Sequence, residues 1–215
     1  LIMIPARMAA TRLPNKPLAD IGGQPMIVRA YRQAEMSGLP VVVAAGDPEI
    51  VEAVEAAGGR AVLTDPGLPS GSDRIRAAVD AIDPEGDFDA VINVQGDMPF
   101  ASPGLATACA AVLHGEPACD IATLVAAEAD PSDRTNPDVV KAVLALGDAE
   151  RQGRALYFTR STLYGDAPIW RHIGVYGYRR DALNRFCAAP QSPLERREKL
   201  EQLRALEMGM QIWAA

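Results

Sequence analysis

Four short apolar runs, rich in β-branched residues, recur through the first 94 residues with helical patterning between them. No other feature of the chain restricts its fold as much. The runs are residues 1–4 (LIMI), 40–45 (PVVVAA), 61–64 (AVLT) and 90–94 (AVINV). Each has strand length and is nearly continuously apolar, as a strand covered on both faces must be. Helical patterns at about 25–37, 48–57 and 72–82 separate them. In the first, Pro25 stands in the first turn, Met26, Ile27, Ala30, Tyr31 and Ala34 share one face, and Gly38 supplies a stop. Such alternation predicts a parallel sheet with helices on both faces.

The second half reads differently. Strand patterns at 121–126 (IATLVA), 139–146 (VVKAVLAL) and 173–178 (IGVYGY) come without full helices between them, and residues 128–138 (EADPSDRTNPD) form an irregular excursion. A last helix, about 193–209, opens on SPLE, with Ser192 as cap, Pro193 in the first turn and Glu195 three residues after the cap. The expectation is an α/β fold with a mixed, mainly parallel sheet flanked by helices and a small additional lobe. A chain of 215 residues buries one good-sized core and reads as a single domain. No internal repeat or low-complexity tract interrupts it.

The chain carries 28 Asp and Glu against 21 Lys and Arg, a net charge of −7. That field repels nucleic acid and anionic membrane, so neither is expected as a partner. Against it stands residues 5–18, PARMAATRLPNKPL, with Arg7, Arg12 and Lys16 and no acid before Asp20. Arginine offers a planar fork to phosphate oxygens and lysine a point charge. Pro5, Pro14 and Pro17 stiffen the loop and so reduce the cost of ordering it. Spacing alone leaves two readings, a polyphosphate cradle or a solvated basic loop that offsets nearby acids. The loop is not a Walker A motif, because GxxxxGK[ST] is absent, and no GxGxxG follows the strand.

Ligands of open parallel sheets sit at the carboxyl edge, where strands give way to loops. Four segments fall there: 5–18, 65–74, 95–99 and the region around 160–176. In PSGSDRI the hydroxyls and free N–H groups of a helix start suit a base or phosphate, while Ser72 or Asp73 suits a helix cap equally well and Arg74 an acid's partner. In VQGDMP, Gly96 permits close backbone approach and Asp97 lies just past a buried strand, as a metal ligand or a turn former. The stretch RREKLEQLR reads alone as a solvated helix face, and His172 before its strand as structural.

No apolar run approaches the roughly 18 residues that span a bilayer. LIMI is too short for a signal-peptide core and is stopped by Pro5. Cys109, Cys119 and Cys187, odd in number and without CxxC spacing, read as reduced thiols in a cytoplasm. The two histidines, His114 and His172, stand far apart, which argues against a zinc site. The chain opens on Leu1 and closes on IWAA, and both ends read as trimmed.

PARMAATRLPNKPLADIGGQPMI resembles the PAR-x(3)-[ST]-RLP-x-KPL signature of sugar-activating nucleotidyltransferases. The resemblance is strongest to the 3-deoxy-manno-octulosonate (KDO) cytidylyltransferases, or CMP-KDO synthetases. SGSDRI at 70–75, VINVQGDMP at 91–99, NPDVVKAV at 136–143, ALYFTRS at 155–161, RHIGVYGYR at 171–179 and SPLERREKLEQLRALE at 192–207 resemble that family in the same order. The resemblance covers essentially the whole chain. It implies a nucleotide-diphospho-sugar transferase-like fold, with about 1–127 holding the nucleotide and 128–215 serving the sugar and a homodimer interface. It also implies the reaction CTP + KDO → CMP-KDO + diphosphate, a step of lipopolysaccharide assembly, with magnesium as cofactor.

By motif position, the resemblance assigns Arg12 and Lys16 to the triphosphate, Arg7 to a further contact, and the backbone at Ala6 to the cytosine, with Ser70, Ser72 and Arg74 nearby. Asp97 matches the metal ligand, so that Arg12, Lys16 and Asp97 carry catalysis. Gln95, Arg160, His172, Tyr176, Glu201 and Gln202 match positions near the sugar. Many relatives carry Glu where this chain has Met98, and the family's second metal-binding aspartate, in a VDTPEDL-like segment, lies beyond residue 215. Other cytidylyltransferases of the fold, for sialic acid or methylerythritol phosphate, and a non-catalytic nucleotide-binding domain are the competing readings.

Overall fold

The four predicted strands of the N-terminal half form as read, in parallel and in the order β3-β2-β1-β4. They are β1 (Ile2–Ala6), β2 (Val41–Ala45), β3 (Ala61–Leu63) and β4 (Ala90–Asn93). This computed structural model describes residues 1–9, 15–128, 130–146, 151–165 and 167–215. The chain forms two compact units, Leu1–Thr107 and Ala108–Ala215.

In the first unit, helices α1 (Met26–Glu35), α2 (Pro48–Ala56) and α3 (Gly71–Ile82) follow β1, β2 and β3. Ile2, Met3 and Ile4 of β1 and Val43, Ala44 and Ala45 of β2 are wholly buried, together with Ile50, Val54, Ile75, Ala78 and Val79 of the helices. Their continuous apolar character follows from that double-sided burial. Helix α1 buries Met26, Ile27, Val28, Ala30, Tyr31 and Ala34. Gly38, at φ 76°, takes the left-handed turn that ends it, with its N–H on the Glu35 carbonyl at 3.1 Å.

Pro5 does not end the first strand. The odd residues of β1 bond to β4, with Ile92 N–H on the Leu1 carbonyl and Val94 N–H on that of Met3. Pro5 is next in that series, and β4 stops at Asn93, so its missing N–H costs no ladder bond.

Helix α4 (Gly104–Gly115) follows β4. This helix was not anticipated from the sequence. Its Ala-rich sequence, GLATACAAVLHG, carries apolar and small residues nearly all round and shows no clear face. Among the described residues, the later strands from Ile121–Ala127 to Trp170–Arg179 have only a short 3-10 turn, Pro131–Arg134, between them, as expected.

The second unit contains β5 (Ile121–Ala127), β6 (Lys141–Ala145), β7 (Gly153–Thr159), β8 (Trp170–Arg179) and β9 (Ile212–Ala214). They pair in the order β8-β5-β9-β7-β6, and β6 pairs again with β8, which closes the circuit. Only β5 with β9 is parallel here. The sheet pairing is therefore parallel in the first unit and mostly antiparallel in the second. Strands β7 and β9 were not anticipated as strands.

The pairing of β5 with β8 shifts between Thr123 and Leu124. Thr123 is opposite Tyr176 and Leu124 opposite Ile173, so Gly174 and Val175 bulge out of the ladder. A bulge of this kind re-aims neighbouring side chains.

Helix α5 (Arg180–Ala188) follows β8, and the predicted last helix is two helices, α6 (Pro193–Glu198) and α7 (Gln202–Glu207). Lys199 adopts φ 57° between them, and Leu200 is buried. The capping box read from SPLE is present: the Ser192 hydroxyl accepts from Glu195 N–H, and the Glu195 carboxylate accepts from Ser192 N–H. The stretch RREKLEQLR is not simply a solvated face. Gln202 and Arg204 are buried, and the Arg204 guanidinium forms a fork on Glu195, Nε to Oε2 and Nη2 to Oε1, both at 2.8 Å.

Candidate active site

Within the first unit, the ends of β1 and β4, the start of α3 and the turn at Lys16–Leu18 surround a pocket of about 290 Å³. Pro5, Ala6, Arg7, Lys16, Pro17, Met26, Ser70, Gly71, Arg74, Gln95, Gly96 and Asp97 line it. Three of the four segments expected at the carboxyl edge thus converge. Arg12 lies outside the described residues.

Lys16 Nζ donates to Asp97 Oδ2 at 2.6 Å. The turn that presents Lys16 starts from Asn15 at φ 58°, a conformation asparagine tolerates better than most residues. Gly96 precedes Asp97 for a steric reason: a Cβ there would stand 2.8 Å from the Pro5 carbonyl oxygen. Gln95 donates from Nε2 to Asn93 Oδ1 at 3.2 Å. Asp97 is the one acid among the described residues that line the pocket.

At the start of α3, Ser70 is the N-cap. Its hydroxyl accepts from Asp73 N–H at 3.1 Å and donates to Asp73 Oδ2 at 2.7 Å. The helix start therefore opens onto the pocket through Ser70 and Gly71. Ser72 is buried on α3 and is not among the lining residues.

Arg74 is buried and tightly held. Its Nη1 donates to Thr64 Oγ1 at 2.6 Å and to the Asp65 carbonyl at 3.1 Å, and its Nη2 reaches the Pro66 carbonyl at 3.4 Å. Thr64 in turn donates to the Ala45 carbonyl at 2.8 Å. Burial and the neighbouring Arg7 charge hold the Arg74 pKa below the usual arginine value, with Asp47 and Asp65 opposing. Asp47 also accepts from Met8 N–H at 2.7 Å, which fastens the loop just after Arg7 to the end of β2. Thr64 and Asp47 were missed in the sequence. Their positions just past β3 and β2, at the carboxyl edge, are the signal that marks them.

The remaining predicted residues belong to the second unit. His172 and Tyr176 flank the β8 bulge, with ring centroids 5.3 Å apart. Thr123 Oγ1 lies 2.9 Å from both His172 Nε2 and the Val175 carbonyl. The carbonyl accepts the single hydroxyl proton, so Nε2–H donates to Thr123 and Nδ1 keeps its lone pair. Burial pushes the His172 pKa down to about 4, so the imidazole is neutral at pH 7. Burial also pushes the Tyr176 phenol up, and the Glu201 carboxylate adds to the shift. Thr123 is a polar residue in the apolar run IATLVA, which is the trace it leaves in the sequence.

Glu201 stands at the start of α7, 3.5 Å from Arg204 Nη2. Gln202 is buried, and its Nε2 has no hydrogen-bond partner among the described residues. Arg160 donates from Nη1 to the Pro137 carbonyl at 3.1 Å, and its own carbonyl accepts from Lys141 Nζ at 3.0 Å.

A family model described as cytidylyltransferase matches residues 1–212. The chain belongs to the cytidylyltransferase family. This cytidylyltransferase is 57% identical over 214 residues to the 3-deoxy-manno-octulosonate cytidylyltransferase of Paramagnetospirillum magneticum, covering 99% of the chain and 87% of the relative. Against the protein of the same name from Parvibaculum lavamentivorans, identity is 58% over 218 residues, with 100% and 83% covered. A solved structure of CMP:2-keto-3-deoxy-manno-octonic acid synthetase complexed with CTP matches with a TM-score of 0.90 and 36% identity. That match covers 100% of this cytidylyltransferase and 88% of the solved chain. The mixed α/β fold is thus that of the nucleotidyltransferases. Among the described residues, no helix is long and apolar enough to cross a membrane.

Proposed function

We propose that this cytidylyltransferase activates 3-deoxy-D-manno-octulosonate: CTP + KDO → CMP-KDO + diphosphate. The single observation that carries the reading is the 2.6 Å approach of Lys16 to Asp97 in a pocket that also presents Arg7, Arg74 and the start of α3. The relatives from Paramagnetospirillum magneticum and Parvibaculum lavamentivorans, both 3-deoxy-manno-octulosonate cytidylyltransferases, support KDO as the sugar.

In this reading the sugar's anomeric 2-hydroxyl oxygen attacks the α-phosphorus in line. The new O–P bond forms as the bond to the β-phosphate bridging oxygen breaks, diphosphate leaves with that electron pair, and the hydroxyl proton passes to solvent. Little covalent chemistry falls to the protein, so alignment and charge stabilisation dominate. Arg7, Arg12 and Lys16 bind the phosphates. The backbone at Ala6, with Ser70 and Arg74, serves the cytosine, and buried Ser72 stands behind them on α3.

Magnesium takes few protein ligands beside phosphate oxygens and water, so one carboxylate, Asp97, suits it. When bound, the ion neutralises phosphate charge and lowers the pKa of the attacking hydroxyl.

Gln95, Arg160, His172, Tyr176, Glu201 and Gln202 serve the sugar. KDO is an acid with many hydroxyls, and this set offers a cation for the carboxylate, a neutral imidazole, and the Nε2 of Gln202, which has no partner among the described residues. The enzyme works in the cytoplasm as a homodimer, with the α6–α7 region near the interface, and supplies lipopolysaccharide assembly. Residues 1–127 form its nucleotide-binding part, and 128–215, with the irregular segment after β5 as an added lobe, its sugar-binding part.

Diphosphate release from CTP and magnesium by the natural full-length chain, with KDO, sialic acid or no sugar, tests the reading. Release with KDO alone is expected. Release only with sialic acid overturns the substrate, and no release with any sugar overturns catalysis.

A further inference from the structure

The first residue of β6, Lys141, is wholly buried, yet it belongs to none of the roles assigned above. A lone ammonium in a core is costly unless its protons are taken. Here Nζ donates to two backbone carbonyls, that of Asn136 in the loop just before the strand at 2.6 Å and that of Arg160 beyond the end of β7 at 3.0 Å.

Lys141 also stands where three strands meet. It is opposite Thr159, the last residue of β7, and opposite Arg171 near the start of β8. The residue before it, Val140, accepts from His172 N–H at 2.9 Å. The segment that the ammonium holds through Asn136 continues into Pro137, whose carbonyl takes the Arg160 guanidinium at 3.1 Å. One side chain therefore ties together the loop at 136–140, the backbone of Arg160 and, through its own strand, the backbone of His172. Burial pulls the Lys141 pKa below the usual lysine value; Asp133, buried in the preceding turn and 3.2 Å from Arg171 Nε, opposes that pull, and the Arg160 charge adds to it.

We infer that Lys141 is a positioning residue of the sugar site: its buried ammonium fixes Arg160 relative to His172 so that both meet one acidic sugar. This rests on the proposal that Arg160 and His172 contact the sugar. A methionine would fill the same space without the cost of burying a charge, but it would release both carbonyls and with them the register of the three segments.

The test varies sugar and CTP separately in steady state for Lys141→Met, Lys141→Gln and Arg160→Ala, with thermal unfolding of each. Lys141→Met should raise the sugar KM on the order of tenfold, the scale of a small misplacement, and leave the KM for CTP unmoved. Lys141→Gln, which keeps two N–H donors, should give an intermediate rise. An unmoved sugar KM, or sugar and CTP values that rise together, overturns the assignment of Lys141. Should Lys141→Met fail to fold, Lys141→Gln is judged by the same split. If Arg160→Ala raises the sugar KM and the Lys141 variants do not, the positioning role alone fails. If Arg160→Ala leaves the sugar KM unmoved, the sugar-site reading itself fails and the role of Lys141 with it.

Discussion

Lys16 and Asp97, 81 positions apart in the chain, meet at 2.6 Å in the pocket at the end of the first parallel sheet. Both side chains are substantially solvent-exposed, at 37% and 51%. An ion pair so exposed contributes about 1 kcal/mol or less to folding, so the fold has little use for it.

Asp97→Asn should therefore unfold within about 1 kcal/mol of the parent. Its turnover should fall severely, and the thermal shift that magnesium adds to CTP binding should disappear. Near-normal turnover, or an undiminished magnesium-dependent shift, would remove Asp97 from the metal role.

Thr64→Val tests the anchoring of Arg74. Loss of the hydroxyl strips Nη1 of its 2.6 Å acceptor, leaves it only the Asp65 carbonyl, and should cost about 1–3 kcal/mol. The KM for CTP should rise because Arg74 lines the pocket. Urea unfolding and CTP titration read the two effects separately, and an unmoved KM would confine Arg74 to a structural role.

His172 should make the fold acid-sensitive. Its folded pKa of about 4 lies below the ordinary value of 6.5, so between those values the unfolded chain holds the extra proton. The stability it contributes is complete above about pH 6.5 and is lost as pH falls towards 4. His172→Gln keeps an Nε2–H for Thr123 and should flatten that part of the pH profile, as measured by melting temperature from pH 7.5 to 4. Profiles that superpose would contradict a neutral buried imidazole.

Arg204→Met should destabilise the protein by about 3–5 kcal/mol, because Glu195 would be left as an unpaired buried charge. Adding Glu195→Gln should recover part of that loss. Chemical denaturation of the two variants measures it, and no recovery would show that the fork itself, rather than the stranded carboxylate, sets the cost.

The first unit was legible because its strands are buried on both faces and its helices carry plain start and stop residues, Pro25 and Gly38 among them. The second unit was less so. Strand β9 is only three residues long, β7 alternates buried and exposed positions too briefly to stand out, and α4 lacks a polar face. Nothing local marks the break at Lys199, where neither glycine nor proline is present and burial of Leu200 accompanies the left-handed turn.

The candidate site divides in the same way. Lys16, Arg74 and Asp97 were readable, because chemistry-bearing side chains at the carboxyl edge of a parallel sheet announce themselves by type and place. Thr64, Asp47, Thr123 and Lys141 were not. Each works through a hydrogen bond to a distant backbone group or side chain, and such partners exist only once the chain has folded.

Equilibrium binding of CTP with magnesium to the parent, Lys16→Ala, Asp97→Asn and the double variant is the most direct test of a shared CTP–metal pocket. Each single change should weaken binding, and the two losses together should differ from their sum, because both side chains act on one ligand. A double variant that binds CTP and magnesium as tightly as the parent would contradict the account.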